Sequence, residues 1–376
     1  MKTKRILFVT DFYNPYNGMG KFIIDISKIF KKNNFKVIIL TAKTERNLNK
    51  VERDNGIIIF RSPISFKFSR GYFSFSLIKD FLSLQKKVDI IYFHFPLVEL
   101  LPLMFLTNKT KILHYHCLPA FVLNDFKFII ANVYFTISIF FSMFFCDKII
   151  TFTNDYFFSK KINKIFKNKT FEIFPFIKSE NNIVNLNEKI LENNIIPILG
   201  FLGRICEEKG LENIVESSKI LDSKNILHKI LIAGDINDKR FKKNIAKILS
   251  LEKDAKSIKF IGKLTDKEKL NFFHKIHILL LPSTNSFEAF GLVQLEAMNF
   301  GKLVIASDIS GVRVPIKLTR NGCLTKIKNS NDLAMNILKC IEMAKIKSKK
   351  EVLDSYYKSF NYDDSLTKYL SIFSRI

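Results

Sequence analysis

Short runs rich in β-branched and apolar residues alternate with stretches of helical periodicity along the first half of the chain. Ile6–Thr10, Lys36–Thr41, Ile57–Phe60, Asp89–Phe93, Lys111–His114 and Lys148–Phe152 read as strands. Between them, Lys21–Lys32 and Ser74–Lys86 have the length of crossover helices. Such alternation predicts a parallel sheet with helices on both faces. Near Phe176 the pattern dissolves into polar, Asn-rich "KSENNIVNLNEKILENN", which reads as a linker. It then restarts. "IPILGFLGR", "KILIAGD", "IKFIG", "HILLLP" and "KLVIAS" are strands, and Leu211–Leu221, Phe241–Leu251, Asp266–Lys275 and Phe287–Phe300 are the helices between them. The expected fold class is α/β, two Rossmann-like doubly wound domains in tandem. Ligands of such sheets sit at the carboxyl ends of the strands, and two facing sheets make a cleft. The expected division is 1–177 for the first domain, 178–196 for the linker, 197–360 for the second domain and 361–376 for a terminal helix. No internal repeat of 20–50 residues is visible.

Composition narrows this only a little. With 376 residues, 47% hydrophobic and 25% charged, the chain is globular and long enough for two cores. Its net charge of +25 points toward nucleic acid or an anionic membrane. The abundance of Lys, Asn, Ile and Phe, without Trp, is also the bias of an AT-rich genome. No nucleic-acid recognition motif appears and the lysines are spread along the chain, so nucleic acid is not an expected partner. Five cysteines without C-x-x-C spacing fit a reducing cytosol better than disulfides or structural zinc. The N-terminus has too short an apolar run for a signal peptide and reads as a strand. Phe128 to Cys146 is uncharged and long enough to span a bilayer, but Asn132, Thr136, Ser138 and Ser142 interrupt it. A single span would also put the flanking strands on opposite sides of the membrane. A buried or interface-lying helix is the expected form.

Three stretches carry candidate chemistry. "PYNGMGKF" places Gly18 and Gly20 between the first strand and a helix, where backbone N–H groups can approach a phosphate or sugar. It is neither a dinucleotide fingerprint nor a P-loop, and a plain tight turn is the alternative. "FLGRICEEKG" sets Arg204 and Lys209 beside a turn leading into a helix, a pair of cations for a diphosphate. "SFEAFGLVQLEAMNFG" holds Glu288 and Glu296 eight residues apart. If wholly helical, that stretch separates the two carboxylates by about 12 Å, roughly the span between the two sugars of a folded nucleotide sugar. The amides of Phe290, Gly291 and Leu292 then lie between them, at the anion-binding start of the helix. Glu296 would accept the ribose hydroxyls and Glu288 those of the second sugar. His274 and His277 lead into an apolar strand without a third ligand, so no metal site is expected there.

The last stretch resembles the E-x7-E signature of glycosyltransferase family 4, retaining enzymes of the GT-B fold. "NGMGKFIIDISKIFKKNNFKVIILT", "FCDKIITFTN", "FEIFPFI", "IAGD", "IKFIGKLTDKEKLNFFHKIHILLLPS" and "NGCLTKIKNSNDLA" fall in the family's order, most closely from Gly200 to Ala334. The resemblance implies that Arg204 and Lys209 bind the donor diphosphate and that Glu288 and Glu296 hold sugar and ribose. It also implies that His116 of "ILHYHC" faces the donor sugar; a core histidine is the alternative there, and the expected role of His114. "ISGVRVPI" departs from the family's usual Gly-Gly followed by Glu, and "FI" stands after Pro175 where Asn-Gly is usual. The implied activity is metal-independent, retaining transfer from a nucleoside-diphosphate sugar, a UDP-sugar in the first instance, with no cofactor. The implied acceptor is a saccharide, lipid-linked in bacterial surface-polysaccharide synthesis. Basic, Phe-rich stretches of the first half suit an anionic membrane surface, hence a peripheral enzyme on the cytoplasmic face of the plasma membrane. Phenylalanines that simply fill the core are the alternative. Other GT-B chemistry, inverting transfer or epimerisation, and a non-catalytic binding protein remain open. "FNYDDSLTKYLSIF" looks like the family's last helix, packed back on the first domain.

Overall fold

The computed structural model describes residues 3–15, 18–68, 71–119, 126–177, 186–237, 242–252 and 257–374. Two compact units emerge, Met1–Pro175 with Leu366–Ile376 and Phe176–Ser365. Of the expected linker, residues 178–185 lie outside the described residues, as does Phe241. The described remainder of the linker is anchored rather than loose. Ile190 and Leu191 are buried, and their amides donate to the carbonyls of Lys347 and Ala344 at 3.1 and 3.0 Å.

The first unit is built on strands β1 (Arg5–Thr10), β2 (Lys36–Lys43), β3 (Val51–Asp54), β4 (Ile57–Pro63), β5 (Phe66–Phe68), β6 (Gly71–Phe73), β7 (Ile90–Phe95), β8 (Thr110–Tyr115), β9 (Lys148–Thr151) and β10 (Thr170–Glu172). Eight of them form one sheet in the order β10-β9-β8-β7-β1-β2-β4-β3. All its neighbours are parallel except β3, which pairs antiparallel with β4. The separate β5–β6 hairpin and β3 carry too little alternation to be legible in sequence. Helices α1 (Gly18–Lys32), α2 (Phe75–Leu84), α3 (Leu100–Phe105), α4 (Phe126–Phe145) and α5 (Asn154–Phe157) connect the strands. Phe8, Tyr92 and His114 of one sheet face meet Phe22 and Phe30 of α1, and His94 packs against Phe8. Phe93 and Phe95 of the other face meet Phe81 of α2 and Phe135 of α4.

The second unit is a six-stranded, all-parallel sheet ordered β13-β12-β11-β14-β15-β16. Its strands are β11 (Ile198–Leu202), β12 (Lys229–Ala233), β13 (Ile258–Gly262), β14 (Ile278–Leu281), β15 (Leu303–Ser307) and β16 (Gly322–Thr325). Continuous burial of β14 and β15 fits strands covered on both faces. The covering helices are α6 (Leu211–Ser223), α7 (Lys242–Glu252), α8 (Asp266–Lys275), α9 (Leu292–Asn299), α10 (Val314–Thr319), α11 (Ser330–Ile346) and α12 (Lys349–Ser359). A capping box, with Thr265 and Glu268 exchanging side-chain and backbone hydrogen bonds, starts α8 where the sequence places it. The chain enters the sheet at β11, runs outward to β13, then returns to the other side at β14. The order therefore reverses between β11 and β14, and the crevice at their carboxyl ends is where this topology takes ligands. The last helix, α13 (Tyr362–Ser374), contributes Tyr369 and Phe373 to the first unit. Phe373 lies 4.6 Å from Phe30 and 4.9 Å from Tyr92, ring centre to ring centre.

Candidate functional site

Two loops meet at the reversal point of the second unit. One follows β11 and carries Arg204 and Lys209; the other follows β14 and carries Glu288, Phe290 and Gly291. Gly210 makes the meeting possible. Its φ of +68° is left-handed, and a Cβ there would stand 2.0 Å from the Pro282 carbonyl oxygen. Beside that contact, the Thr284 amide donates to the Glu208 carbonyl at 2.8 Å. The result is an ion pair between Lys209 and Glu288, whose carboxylate also accepts from the Ser283 hydroxyl at 3.3 Å. Arg204 leans the same way, its guanidinium 5.9 Å from the Phe287 ring centre and 3.7 Å from the buried Glu208 carboxylate.

The helix expected from Phe287 to Phe300 instead begins at Leu292. Gly291, at φ +77°, is its N-cap and breaks the helical run that the sequence suggested. Glu288 thus belongs to a loop, and the 12 Å axial spacing, about two turns of helix, does not apply. Phe290 is buried, and Gln294 of the first helical turn donates to its carbonyl at 2.7 Å and to that of Val312 at 3.0 Å. Through Gln294, the departing "ISGVR" segment is tied to the start of α9. The helix start, now at Leu292, remains a position that favours an anion. Glu296 is half-buried one turn on and accepts from Lys269 of α8 at 2.6 Å. Lys269, Gln294 and Gly210 went unnoticed in the sequence; only the glycine, at the end of "EEKG", left a readable trace.

The remaining candidates lie in the first unit. Gly18 and Gly20 are in the first turn of α1 rather than in the loop before it. A Cβ on Gly20 would fall 2.1 Å from the Asn14 carbonyl oxygen, so this glycine lets the loop after β1 lie against the helix. His116 is buried beside His94 and His114, the latter two paired in register on β7 and β8. Nδ1 of His94 and Nε2 of His116 are hydrogen-bonded at 2.9 Å, and Tyr92 Oη is 2.6 Å from His114 Nδ1. Burial depresses all three histidines below the usual range, His116 to about 3, so they are neutral near pH 7. Nitrogens of the three lie within 4.8 Å of one another. Their rings are nearly parallel, at 3°, 18° and 20°, so their in-plane lone pairs do not converge on one ion. His94 was missed in the sequence, although "YFHFP" and "LHYHC" alternate alike. His277 is a structural residue whose Nδ1 accepts from the Ile198 amide at 3.0 Å. A second unnoticed cluster lies in the loops that follow β1 and β7. Asp11 and Glu99 are buried there, Asp11 accepting from the Val98 amide at 3.3 Å and Glu99 from the Ser74 amide. Burial raises both carboxyl pKa values, Glu99 to about 7, and the charge of Glu99 raises that of Asp11 further.

Residues 184–357 match the family model Glycosyl transferases group 1. An uncharacterised glycosyltransferase of Methanocaldococcus jannaschii is 23% identical over 352 residues, 90% of this chain and 88% of its own. The O-antigen chain mannosyltransferase C of Escherichia coli is 21% identical, covering 89% of this chain and 88% of its own. Among solved structures, Anabaena HepE in complex with UDP and glucose superposes with a TM-score of 0.71 at 17% identity, covering 99% of this chain and 100% of its own. The solved neighbours are GT-B glycosyltransferases, and the α/β fold with two parallel sheets is theirs.

Proposed function

From the match of residues 184–357 to the group 1 glycosyltransferase model, we propose that the chain is a retaining, metal-independent glycosyltransferase of family 4. It transfers a sugar from a nucleoside-diphosphate sugar, a UDP-sugar in the first instance, to a saccharide acceptor. The observation that carries this reading is the meeting of Arg204, Lys209, Glu288 and the α9 start at the β11/β14 reversal. Arg204, Lys209 and the helix amides would offset the charge that grows on the departing diphosphate. Glu296 would accept the ribose hydroxyls, and Glu288 the hydroxyls of the transferred sugar while sharing Lys209 with the phosphates. His116, neutral and buried, is assigned to the donor sugar on the resemblance alone. Gly18 and Gly20 are assigned to substrate through backbone amides at the start of α1. With no enzymic nucleophile in this scheme, the acceptor hydroxyl attacks on the side from which the diphosphate leaves. Its proton passes to a leaving-group oxygen, and the protein contributes positioning and charge stabilisation.

The acceptor is proposed to be a lipid-linked saccharide of a bacterial surface polysaccharide, which places the enzyme peripherally at the cytoplasmic face of the plasma membrane. The E. coli O-antigen relative and the sugar nucleotide bound to a fold neighbour support the polysaccharide setting and the UDP donor. The test is incubation with UDP- and GDP-sugars and a lipid-linked oligosaccharide, with NMR of the new anomeric centre. An inverted product would sink retention, and interconversion of the sugar nucleotide without acceptor would assign an epimerase instead.

A further inference from the structure

Helix α4 is apolar on its outward side as well as on the side that faces the protein. Phe135, Ile139 and Met143, with Ser138 and Ser142, are buried against the protein, and Ile130, Val133, Ile137, Phe141 and Phe144 form a second, outward apolar stripe. These large side chains stay about half exposed, Val133 at 52%, Ile137 at 50% and Phe144 at 51%. The stripe does not end with the helix. Phe105 of α3, 60% exposed, lies against Phe145 with ring centres 4.4 Å apart. At the C-terminal end of α4, Phe144 packs 4.8 Å from Phe166 of the 3₁₀ helix Lys161–Lys169.

That short helix extends the pattern and adds charge. With about three residues per turn, side chains three apart line up. Asn163 and Phe166 therefore point inward, Ile162 and Ile165 are exposed along one ridge, and Lys161, Lys164 and Lys167 along the next. Three lysines thus run beside the exposed Ile162 and Ile165, on a helix joined through Phe166 to the end of the α4 stripe. No described helix is long and apolar enough to cross a membrane.

We propose that the α3–α4 face, with the flanking 3₁₀ helix, docks in the plane of an anionic phospholipid bilayer. Charge chooses the occupant. The lysine ridge complements acidic headgroups, whereas a second copy of a chain with net charge +25 would set like charges edge to edge. Half-exposed Ile, Val and Phe side chains are suited to the boundary between headgroups and acyl chains. The proposal deepens the reading of a membrane-bound acceptor by naming the surface, and it needs nothing from the donor site of the other unit.

Flotation of the full chain with vesicles of phosphatidylcholine alone, or mixed with phosphatidylglycerol, tests it. The wild type should be retained on the mixed vesicles and released by high salt. Val133→Ser/Ile137→Ser/Phe141→Ser should lower retention at least about tenfold, and Lys161→Gln/Lys164→Gln/Lys167→Gln should lower it by a similar factor and remove its salt dependence. The thermal shift given by UDP should be unchanged in both variants, which separates this surface from the donor reading. Absence of wild-type retention on the mixed vesicles, or equal retention of the wild type and both variants, would overturn the proposal. A wild-type dimer that the apolar variant turns into a monomer would assign the face to a second copy instead.

Discussion

Gly210→Ala tests whether the contact between the β11 and β14 loops builds the donor site. Alanine at the φ of +68° costs about 1–2 kcal/mol. Its Cβ would sit 2.0 Å from the Pro282 oxygen, so one loop must retreat by about 1.4 Å to reach ordinary contact at 3.4 Å. A retreat of that size also stretches the 2.8 Å Thr284–Glu208 hydrogen bond past its useful range, for about 1 kcal/mol more. The sum, roughly 2–4 kcal/mol with residual strain, corresponds to a fall of about 5–15 °C in the melting temperature of a unit this size. Lys209 moves with the loop, so UDP affinity should drop at least about tenfold, equivalent to 1.4 kcal/mol. Gly262→Ala is the control, since its φ of +76° is equally left-handed but a Cβ there meets nothing within 4 Å. It should lose about 1–2 kcal/mol of stability and no UDP affinity. Calorimetric melting and UDP titration of both variants decide the matter. If Gly210→Ala binds UDP as tightly as Gly262→Ala, the loop contact does not shape the site.

Lys269→Met removes the 2.6 Å partner of Glu296 while keeping the aliphatic stem. The pair is partly exposed, so stability should fall by only about 1 kcal/mol, but UDP affinity should fall severalfold because the carboxylate loses its orientation. Unchanged UDP binding by titration would release Lys269 from that role. Stability should also depend on pH from both sides. A carboxyl whose folded pKa is raised contributes stability below its unfolded value of about 4.5, lost as pH climbs through about 7 for Glu99. The buried histidines act oppositely, losing stability as pH falls from 6.5 toward about 3 for His116. Glu99→Gln should therefore flatten the decline in melting temperature between pH 5 and 8 and leave the slope below pH 5 in place. The slope removed is at most about 1.4 kcal/mol per pH step of one. Identical curves for variant and wild type would remove Glu99 as the source.

The sheets were legible because buried parallel strands need nearly continuous apolar runs, and "ILGFL", "KILIA" and "LVIAS" have them. The start of α8 at Asp266 was legible, and the Thr265–Glu268 capping box fixes it there. The start of α9 was not, because "EAFGLVQLEA" has good helix formers on both sides of Gly291, and only the backbone reveals its left-handed turn. Site residues near one another in sequence, Arg204 and Lys209 or Glu288 and Glu296, stood out as pairs. Those joined only by folding did not. Lys269 and Glu296 are 27 positions apart, and His94 and His116 are 22 apart. The outward apolar stripe of α4 was hidden for another reason. The segment is apolar nearly all round, so its sequence does not say which side meets the sheet.

The most direct test of the account is the affinity of UDP against that of 2′-deoxyuridine diphosphate, measured by titration calorimetry in the wild type and in Glu296→Ala. A carboxylate that accepts ribose hydroxyls should give the wild type a preference of roughly 10- to 100-fold for UDP, from about 1.5–3 kcal/mol for a charged hydrogen bond. Glu296→Ala should bind both nucleotides weakly and nearly alike. Equal preference in the two proteins, or no binding of UDP by the wild type, would contradict the assignment of this crevice to a nucleotide sugar.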